Sequence, residues 1–330
     1  MRDPRPTPPE GQQVSSDKTT YGYFGPRGTF TQAALAAHLE SVGAADRLDA
    51  SVPFATVTAV LDAVQAGEID LGVVPIENSV EGGVSATLDA LNARDELYIR
   101  AEVLVPITFV LAARPGTTLE SVRAVGSHSH AWAQVRGWME ANLPAAHYVP
   151  TLSTAAAAEG LGGPDDLPYQ AAVCARMAAD TFGLEVLASE IGDNASAVTR
   201  FVVVSGPGHL PAATGADKTT IMLFQHDDHA GGLLEMLEQF AARGINMTRL
   251  ESRPTGAATG SYGFSIDFEG HLDDARVAET LMSLHRVAAR VRFFGSYPRA
   301  DARPAEVVPS ASDTSFTQAR DWLEQLRTQG

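Results

Sequence analysis

From residue 21 to about residue 205, short apolar runs alternate with longer alanine-rich stretches whose apolar positions recur every three or four residues. YGYF at 21–24, LGVVPI at 71–76, ITFVLAA at 107–113, VRAVGS at 122–127 and YQAAVC at 169–174 are short and bounded by glycine or polar residues, which predicts strands. The stretches 33–39, 57–64 and 132–139 carry the helical period instead. Strands alternating with helices predict an α/β region built on largely parallel sheets, and its length suits two lobes.

The rhythm breaks at GPGHLPAATGAD, residues 206–217, which reads as a linker between this region (20–205) and a smaller unit (218–298). In the smaller unit TTIMLF, INMTRLES, the alternating SYGFSIDF and VRFFGSY are strands. One helix carries Leu233, Leu237, Phe240 and Gly244 along a stripe, and a second helix spans 273–289. The order βαββαβ is that of a ferredoxin-like unit. Residues 299–330 form a tail ending in a helix with Phe316, Ala319, Leu323 and Leu326 on one stripe, which suits docking on this chain or on a partner. Residues 1–19, with Pro4, Pro6, Pro8 and Pro9 among polar neighbours, read as a disordered leader rather than a signal peptide.

With 45% apolar residues in 330, the chain can bury two cores. Its formal charge of −16 argues against nucleic acid or an anionic membrane surface as the main partner. An anionic small ligand would need local donors working against that field. No window approaches eighteen consecutive apolar residues, so no membrane span is expected, and a cytoplasmic address is the default. The single cysteine, Cys174, can form neither an internal disulfide nor a cysteine-rich zinc site.

Four loops look ligand-facing, and each has a plainer reading. Gly25-Pro26-Arg27-Gly28-Thr29 follows a strand and opens a helix, where free amides suit an anion or simply make a turn. The strand 71–76 ends in Glu77-Asn78-Ser79 before Gly82-Gly83, polar groups at a carboxyl end that either meet a ligand or cap the next helix. Ser127-His128-Ser129-His130 pairs two histidines without a third ligand at a diagnostic spacing, so a metal is not expected. Thr199-Arg200-Phe201 opens the strand VVVS, and an arginine there needs an anion, either a structural carboxylate or a substrate's.

Together these motifs carry a resemblance. GPRGTFT, VPIENS, GSH followed by Gln134, Ser153-Thr154 and VTRF stand in the order and rough spacing of the prephenate dehydratases. INMTRLESRP and YGFSIDFEGH continue the match into a unit that resembles an ACT domain. The similarity spans roughly residues 20–298. It departs at Ser129 and His130 (usually Pro and Gln), at Ser196 or Ala197 (usually Asn), and in the turn Asp228-His229-Ala230-Gly231-Gly232-Leu233.

The resemblance implies a two-lobed, periplasmic-binding-protein-like catalytic region with a cleft, followed by a ferredoxin-like ACT domain. It implies decarboxylative dehydration of prephenate to phenylpyruvate, with feedback by phenylalanine. Aromatisation drives that reaction, so no cofactor or metal is expected. Thr199 is then donor and orienter for the departing hydroxyl, and Glu77 a proton reservoir if burial raises its pKa. Asn78, Ser79, Ser127 and Gln134 are polar contacts. Arg200 and the amides of Gly28 and Thr29 either meet the carboxylates or shape the loop, while Phe201 packs the ring side. Phenylalanine is expected at Asp228, Gly231, Gly232, Leu233 and Leu234 and at Glu251-Ser252-Arg253-Pro254. Its carboxylate would meet the glycine amides, and Leu233 its ring. The family also implies a homodimer or homotetramer through the ACT and catalytic units. Arogenate as substrate, and a non-catalytic intracellular amino-acid or solute sensor, stay open. If catalysis and sensing are coupled, a chain ending near Ser205 should keep some activity and lose inhibition.

Overall fold

The computed structural model describes residues 19–80, 82–227, 229–254 and 262–329. The expected leader, apart from residue 19, and Asp228 lie outside the described residues. Three sheets organise the chain. In the first lobe lie β1 (Tyr21–Phe24), α1 (Phe30–Ser41), β2 (Val52–Phe54), α2 (Val57–Gln65), β3 (Leu71–Asn78), β4 (Gly82–Gly83), α3 (Ser85–Asn92) and β5 (Tyr98–Pro106). The second lobe holds β6 (Val110–Ala113), β7 (Ala124–Ser127), α4 (Ser129–Gln134), α5 (Arg136–Asn142), β8 (His147–Pro150), α6 (Thr154–Gly162), β9 (Ala171–Cys174), α7 (Arg176–Thr181) and β10 (Glu185–Ala188).

The chain then returns as β11 (Val198–Ser205) and inserts between β3 and β5, giving the first sheet the order β2-β1-β3-β11-β5, with β4 beside β3. The second sheet runs β10-β6-β9-β7-β8. Both are mixed rather than largely parallel. β11 is antiparallel to both of its neighbours, and β6 is antiparallel to β9 and β10. The period of a buried strand does not encode its direction. Two crossings of the chain therefore join the lobes, and the returning strand lies inside the first sheet.

Side-chain alternation splits β11 between two cores. Phe201 and Val203 face α1 with Tyr21, Tyr23 and Leu35. Val202 and Val204 face the other side, with Val60 and Leu61 of α2 and Leu88 and Leu91 of α3. Thr29 caps α1 by accepting from the Gln32 amide at 3.3 Å, and Ser153 caps α6 by accepting from Ala156 at 2.9 Å. Cys174 is buried in the second lobe, where desolvation pushes its thiol up to about 12.

The third unit comprises β12 (Asp217–Phe224), α8 (Gly232–Ala241), β13 (Met247–Pro254), β14 (Tyr262–Glu269), α9 (Ala275–Val287) and β15 (Arg290–Pro298). Its antiparallel sheet, ordered β13-β14-β12-β15, has the expected βαββαβ connectivity. Ile221, Leu223, Ile266 and Phe268 pack towards α8 and α9. The opposite face lies on the first sheet, where Met222, Phe294 and Tyr297 join Ile99, Val202 and Val204 in one core. β15 approaches β5 so closely that a Cβ on Gly295 would stand 2.3 Å from the Ile99 carbonyl oxygen. The segment between the units is also tied down. Arg100 donates to the Gly206 and His209 carbonyls at 2.9 and 2.6 Å, and His271 Nε2 lies 3.0 Å from the Pro211 carbonyl. Helix α10 (Asp313–Gln329) is anchored at its start, where Asp313 accepts from the Ala275 amide at 2.8 Å, while Trp322, Leu323 and Leu326 are exposed.

A shared core changes what truncation should do. Ending the chain at Ser205 uncovers Ile99, Val202 and Val204 and removes three large side chains from their core. That costs about 5 kcal/mol as an upper estimate, comparable to the whole stability of a domain. The truncated chain is expected to melt well below the full chain and to bind a hydrophobic dye. Equal melting temperatures by calorimetry would contradict a shared core.

Candidate active site

The two lobes enclose a cavity of about 340 Å³. From the first lobe come Phe24, Phe30, Asn78 and Thr199; from the second come Phe109, His128, His130, Gln134, Leu152, Ser153 and Thr154. Aromatic rings form one part of the wall, with Phe30 edge-on to Phe109 at 5.6 Å between centroids. The rest is lined by Ile107, Ala131 and Leu152 and by amide, hydroxyl and imidazole groups, with no Asp, Glu, Lys or Arg among the described residues.

Asn78 and Thr199 are cross-strand partners at the ends of β3 and β11. The Val80 amide donates to Asn78 Oδ1 at 2.8 Å, which fixes the amide and turns Nδ2 towards Thr199. Nδ2 donates to Thr199 Oγ1 at 2.9 Å. Thr199 therefore accepts from Asn78 and keeps its own proton for another acceptor. Ser79 clamps the same strand end: its amide donates to the Val198 carbonyl and its hydroxyl accepts from the Val198 amide, both at 2.9 Å. Its role in the geometry is to hold Val198, next to Thr199. Gln134 lines the opposite wall.

Several expected contacts lie elsewhere. Ser127 is fully buried and donates to the Val173 carbonyl at 3.0 Å. The Gly28 amide is taken by Gln32 Oε1 at 2.6 Å. Gly28 has φ +81°, and a Cβ there would meet the Ala178 Cα of α7 at 2.8 Å, so this glycine permits close approach of the lobes rather than of a ligand. Thr29 is a helix cap. Phe201 lies in the core beneath the cavity, and Phe24, Phe30 and Phe109 supply the ring surface instead. Glu77 pairs with Arg200 on the face of the sheet opposite Asn78 and Thr199, so the geometry offers it no path as a proton reservoir. The wall residues missed in the sequence have a signal there: Phe24 and Phe30 flank the glycine turn, and Phe109 lies in a predicted strand.

Arg200 is not on the cavity wall. It is 5% exposed and donates through Nε to Glu102 at 2.6 Å, through Nη2 to the Tyr297 hydroxyl at 2.8 Å, and through Nη1 to Asp267, with Glu77 at 3.4 Å. Of the two anions the sequence allowed, the structural carboxylate is the one present. Burial alone would raise the Asp267 carboxyl, but the charges of Arg200, Arg249 and Lys218 outweigh it and hold the group well below the usual carboxylate range.

The effector candidates gather at one end of the third sheet, where Phe224 pairs with Gly263 and Gly263 with Arg253. Gly231 starts α8 with φ +92°. Leu233 turns into the third core rather than outward, so Leu234, 59% exposed, is the side chain available to a ligand. Glu251 lies against Gly83, and Arg253 donates to Asp89 and Ser85, both at 2.7 Å, so these two residues touch the first lobe. Ser252 is exposed, and Pro254 ends β13.

A family model described as prephenate dehydratase matches residues 21–208. A prephenate dehydratase of Amycolatopsis methanolica is 44% identical over 302 residues, covering 91% of this chain and 95% of that one. This chain belongs to the prephenate dehydratase family. Among solved structures, the prephenate dehydratase of Arthrobacter aurescens in complex with L-Phe is 52% identical with a TM-score of 0.87, covering 94% of this chain and all of that one. GqqA, described as a novel type of quorum quenching acylase, is 28% identical with a TM-score of 0.73 over 84% of this chain and 97% of its own. An acylase acting through a hydroxyl needs a base beside it. In this prephenate dehydratase family member the partner of Thr199 is an amide, which cannot take its proton.

Among the described residues no group of three or more His, Cys, Asp or Glu side chains is arranged to hold a metal, and no helix is long and apolar enough to cross a membrane.

The Asp267 carboxyl makes an acid prediction with a definite sign. Its folded-state pKa lies below the unfolded value of about 3.9, so its contribution to stability is complete above that value and is lost as pH falls through the folded-state pKa. Unfolding free energy measured by urea titration should fall below about pH 4, and Asp267→Asn should flatten that limb. An identical acid limb in the variant would refute the assignment.

Proposed function

We propose that the cleft converts prephenate to phenylpyruvate, and the observation that carries this reading is the Asn78–Thr199 pair on the wall of a partly aromatic cavity. The C–CO₂⁻ bond breaks and its electrons enter the ring. The ring C–O bond breaks at the opposite carbon, and the oxygen leaves as hydroxide, which takes a proton from solvent to become water. Thr199, fixed as acceptor from Asn78, directs its O–H at the leaving oxygen and stabilises the negative charge that grows there. Phe24, Phe30 and Phe109 enclose the ring. Gln134, Ser153, Thr154 and the two imidazoles supply donors for the carboxylates. The chemistry needs no cofactor, and chelator should leave it unchanged.

Among the described residues the wall has no Asp or Glu to meet the ammonium of arogenate, which supports the keto acid as substrate. A sensor would use the same donors for binding, but Thr199 would then affect affinity alone. The catalytic region is residues 20–205 and the segment 206–217 joins it to an ACT domain at 218–298, with 299–330 as a tail. The ACT reading is supported by the βαββαβ sheet and by the relative that binds L-Phe. Phenylalanine would sit at the end of that sheet, with Gly231, Gly232 and Leu234 towards the ligand. Pairing of two such units into a homodimer or homotetramer is supported by the edge strand β13, with Leu250 exposed, and a cytoplasmic location fits a biosynthetic lyase.

Incubation with prephenate should yield phenylpyruvate, read by its absorbance in alkali. Thr199→Ala should lower kcat by about two to three orders of magnitude, with Thr199→Ser retaining more. A change in KM alone would favour the sensor. Phenylalanine should bind by calorimetry and inhibit. Gly232→Val should weaken both effects, because a Cβ at residue 232 already meets Gln225 Nε2 at 2.6 Å and His229 Cε1 at 2.9 Å. Undiminished inhibition in that variant would place the effector elsewhere.

A further inference from the structure

Thr199 and Arg200 are neighbours on β11, and the pairing of β11 with β3 shifts register between Arg200 and Phe201. On the other side the ladder with β5 runs on without a shift through Val198, Thr199 and Arg200, so the looser pairing of these residues is the one with β3. On the β3 side, side chains add to the backbone pairing: Asn78 donates to Thr199, the Ser79 hydroxyl accepts from the Val198 amide, and carboxylates surround Arg200. Two of the four groups on the guanidinium, Asp267 and Tyr297, belong to the third unit. A third, Glu102, is itself held by that unit through Lys218 Nζ at 2.7 Å, and by the Ala300 amide just beyond β15 at 3.0 Å.

Asp267 has a second cationic partner. Arg249 Nε donates to it at 3.2 Å, while Arg249 Nη1 reaches Glu251 Oε2 at 3.3 Å and Nη2 reaches Ser265 at 2.9 Å. Glu251 begins the Glu-Ser-Arg-Pro end of β13. An unbroken chain of charge contacts therefore runs from the proposed effector end of the third sheet to the residue beside Thr199.

We propose that Asp267 is a positioning residue for the dehydration, setting the Asn78–Thr199 pair through Arg200, and that Arg249 connects Glu251 to that same carboxylate so that events at the end of β13 reach the cleft. This rests on the dehydratase reading above. A buried guanidinium follows its carboxylates, because leaving either charge unpaired away from water is costly. With Asp267 neutralised, Arg200 moves towards Glu102 and Glu77, and the strand end carrying Thr199 moves with it. A displaced donor costs rate rather than substrate affinity.

The full-length chain is assayed with prephenate as wild type, Asp267→Asn, Arg249→Met and Met222→Ala. Met222→Ala loosens the same interface without touching the guanidinium. Asp267→Asn should lower kcat roughly ten- to a hundredfold with KM changed by less than about threefold, while Met222→Ala, at comparable loss of melting temperature, stays within about twofold of wild-type kcat. Arg249→Met should still bind phenylalanine by calorimetry but need roughly tenfold more of it for half-inhibition. Equal kcat values in Asp267→Asn and Met222→Ala overturn the positioning role, and wild-type inhibition of Arg249→Met overturns the connection. If Asp267→Asn does not fold, Tyr297→Phe replaces it. That change keeps the ring and removes one hydroxyl from Arg200, and an unchanged kcat then counts against the proposal. Failure of the wild type to convert prephenate would instead refute the dehydratase reading.

Discussion

A guanidinium removed from water must be surrounded by acceptors, and the position of Arg200 makes that requirement govern the whole molecule. It lies on the inner strand β11, next to Thr199 of the cavity wall, beneath the sheet of the third unit. Its carboxylates come from β3, β5 and β14, so satisfying one charge brings two lobe strands and the third sheet into a single arrangement. Losing one partner of such a buried ion costs about 3–5 kcal/mol. Apolar contacts around Val202, Val204, Met222 and Phe294 supply adhesion between the sheets. They have no direction, and the ion network supplies the register.

The path of the chain explains why this strand carries so much. β11 is reached only after the second lobe has been built, and it enters between β3 and β5. The Asn78–Thr199 bond joins residues 121 apart in sequence. Thr199 can face Gln134 and Phe109 because the second lobe is suspended between β5 and β11, so the same strand closes the sheet and carries the donor at the cleft.

Much of this is legible in the sequence, for identifiable reasons. Periodicity and turn residues locate the strands and the βαββαβ order, since both are local properties. Thr199 and Asn78 are marked by polarity at strand ends. Directions of buried strands are not marked, which is why the sheets prove mixed. The roles of Ser127, Gly28 and Arg200 are not marked either, because a buried serine bonded to a carbonyl and one bonded to a ligand have the same letters around them. Phe201 and Phe24 show the same limit. Both are aromatic residues near a motif, and only the pleat of each strand decides which faces the cavity.

The charge of the chain gives the cleft a further property. At −16 the protein repels a dianionic substrate at long range, and that repulsion is screened within about 10 Å at moderate salt. Among the described residues the cavity wall adds no Asp or Glu to it, and the Arg200 guanidinium is neutralised by its own carboxylates on the far face of the sheet. On the proposed function, recognition rests on short-range neutral donors and two imidazoles. Such donors can hold carboxylates without neutralising them, and a carboxylate left with its charge is the form that can expel carbon dioxide. A lysine or arginine clamped to the departing carboxylate would stabilise the ground state most, because that charge disappears in the transition state. A wall of neutral donors therefore lowers the barrier relative to an ion pair at the same position, provided that Thr199 meets the oxygen on which charge develops.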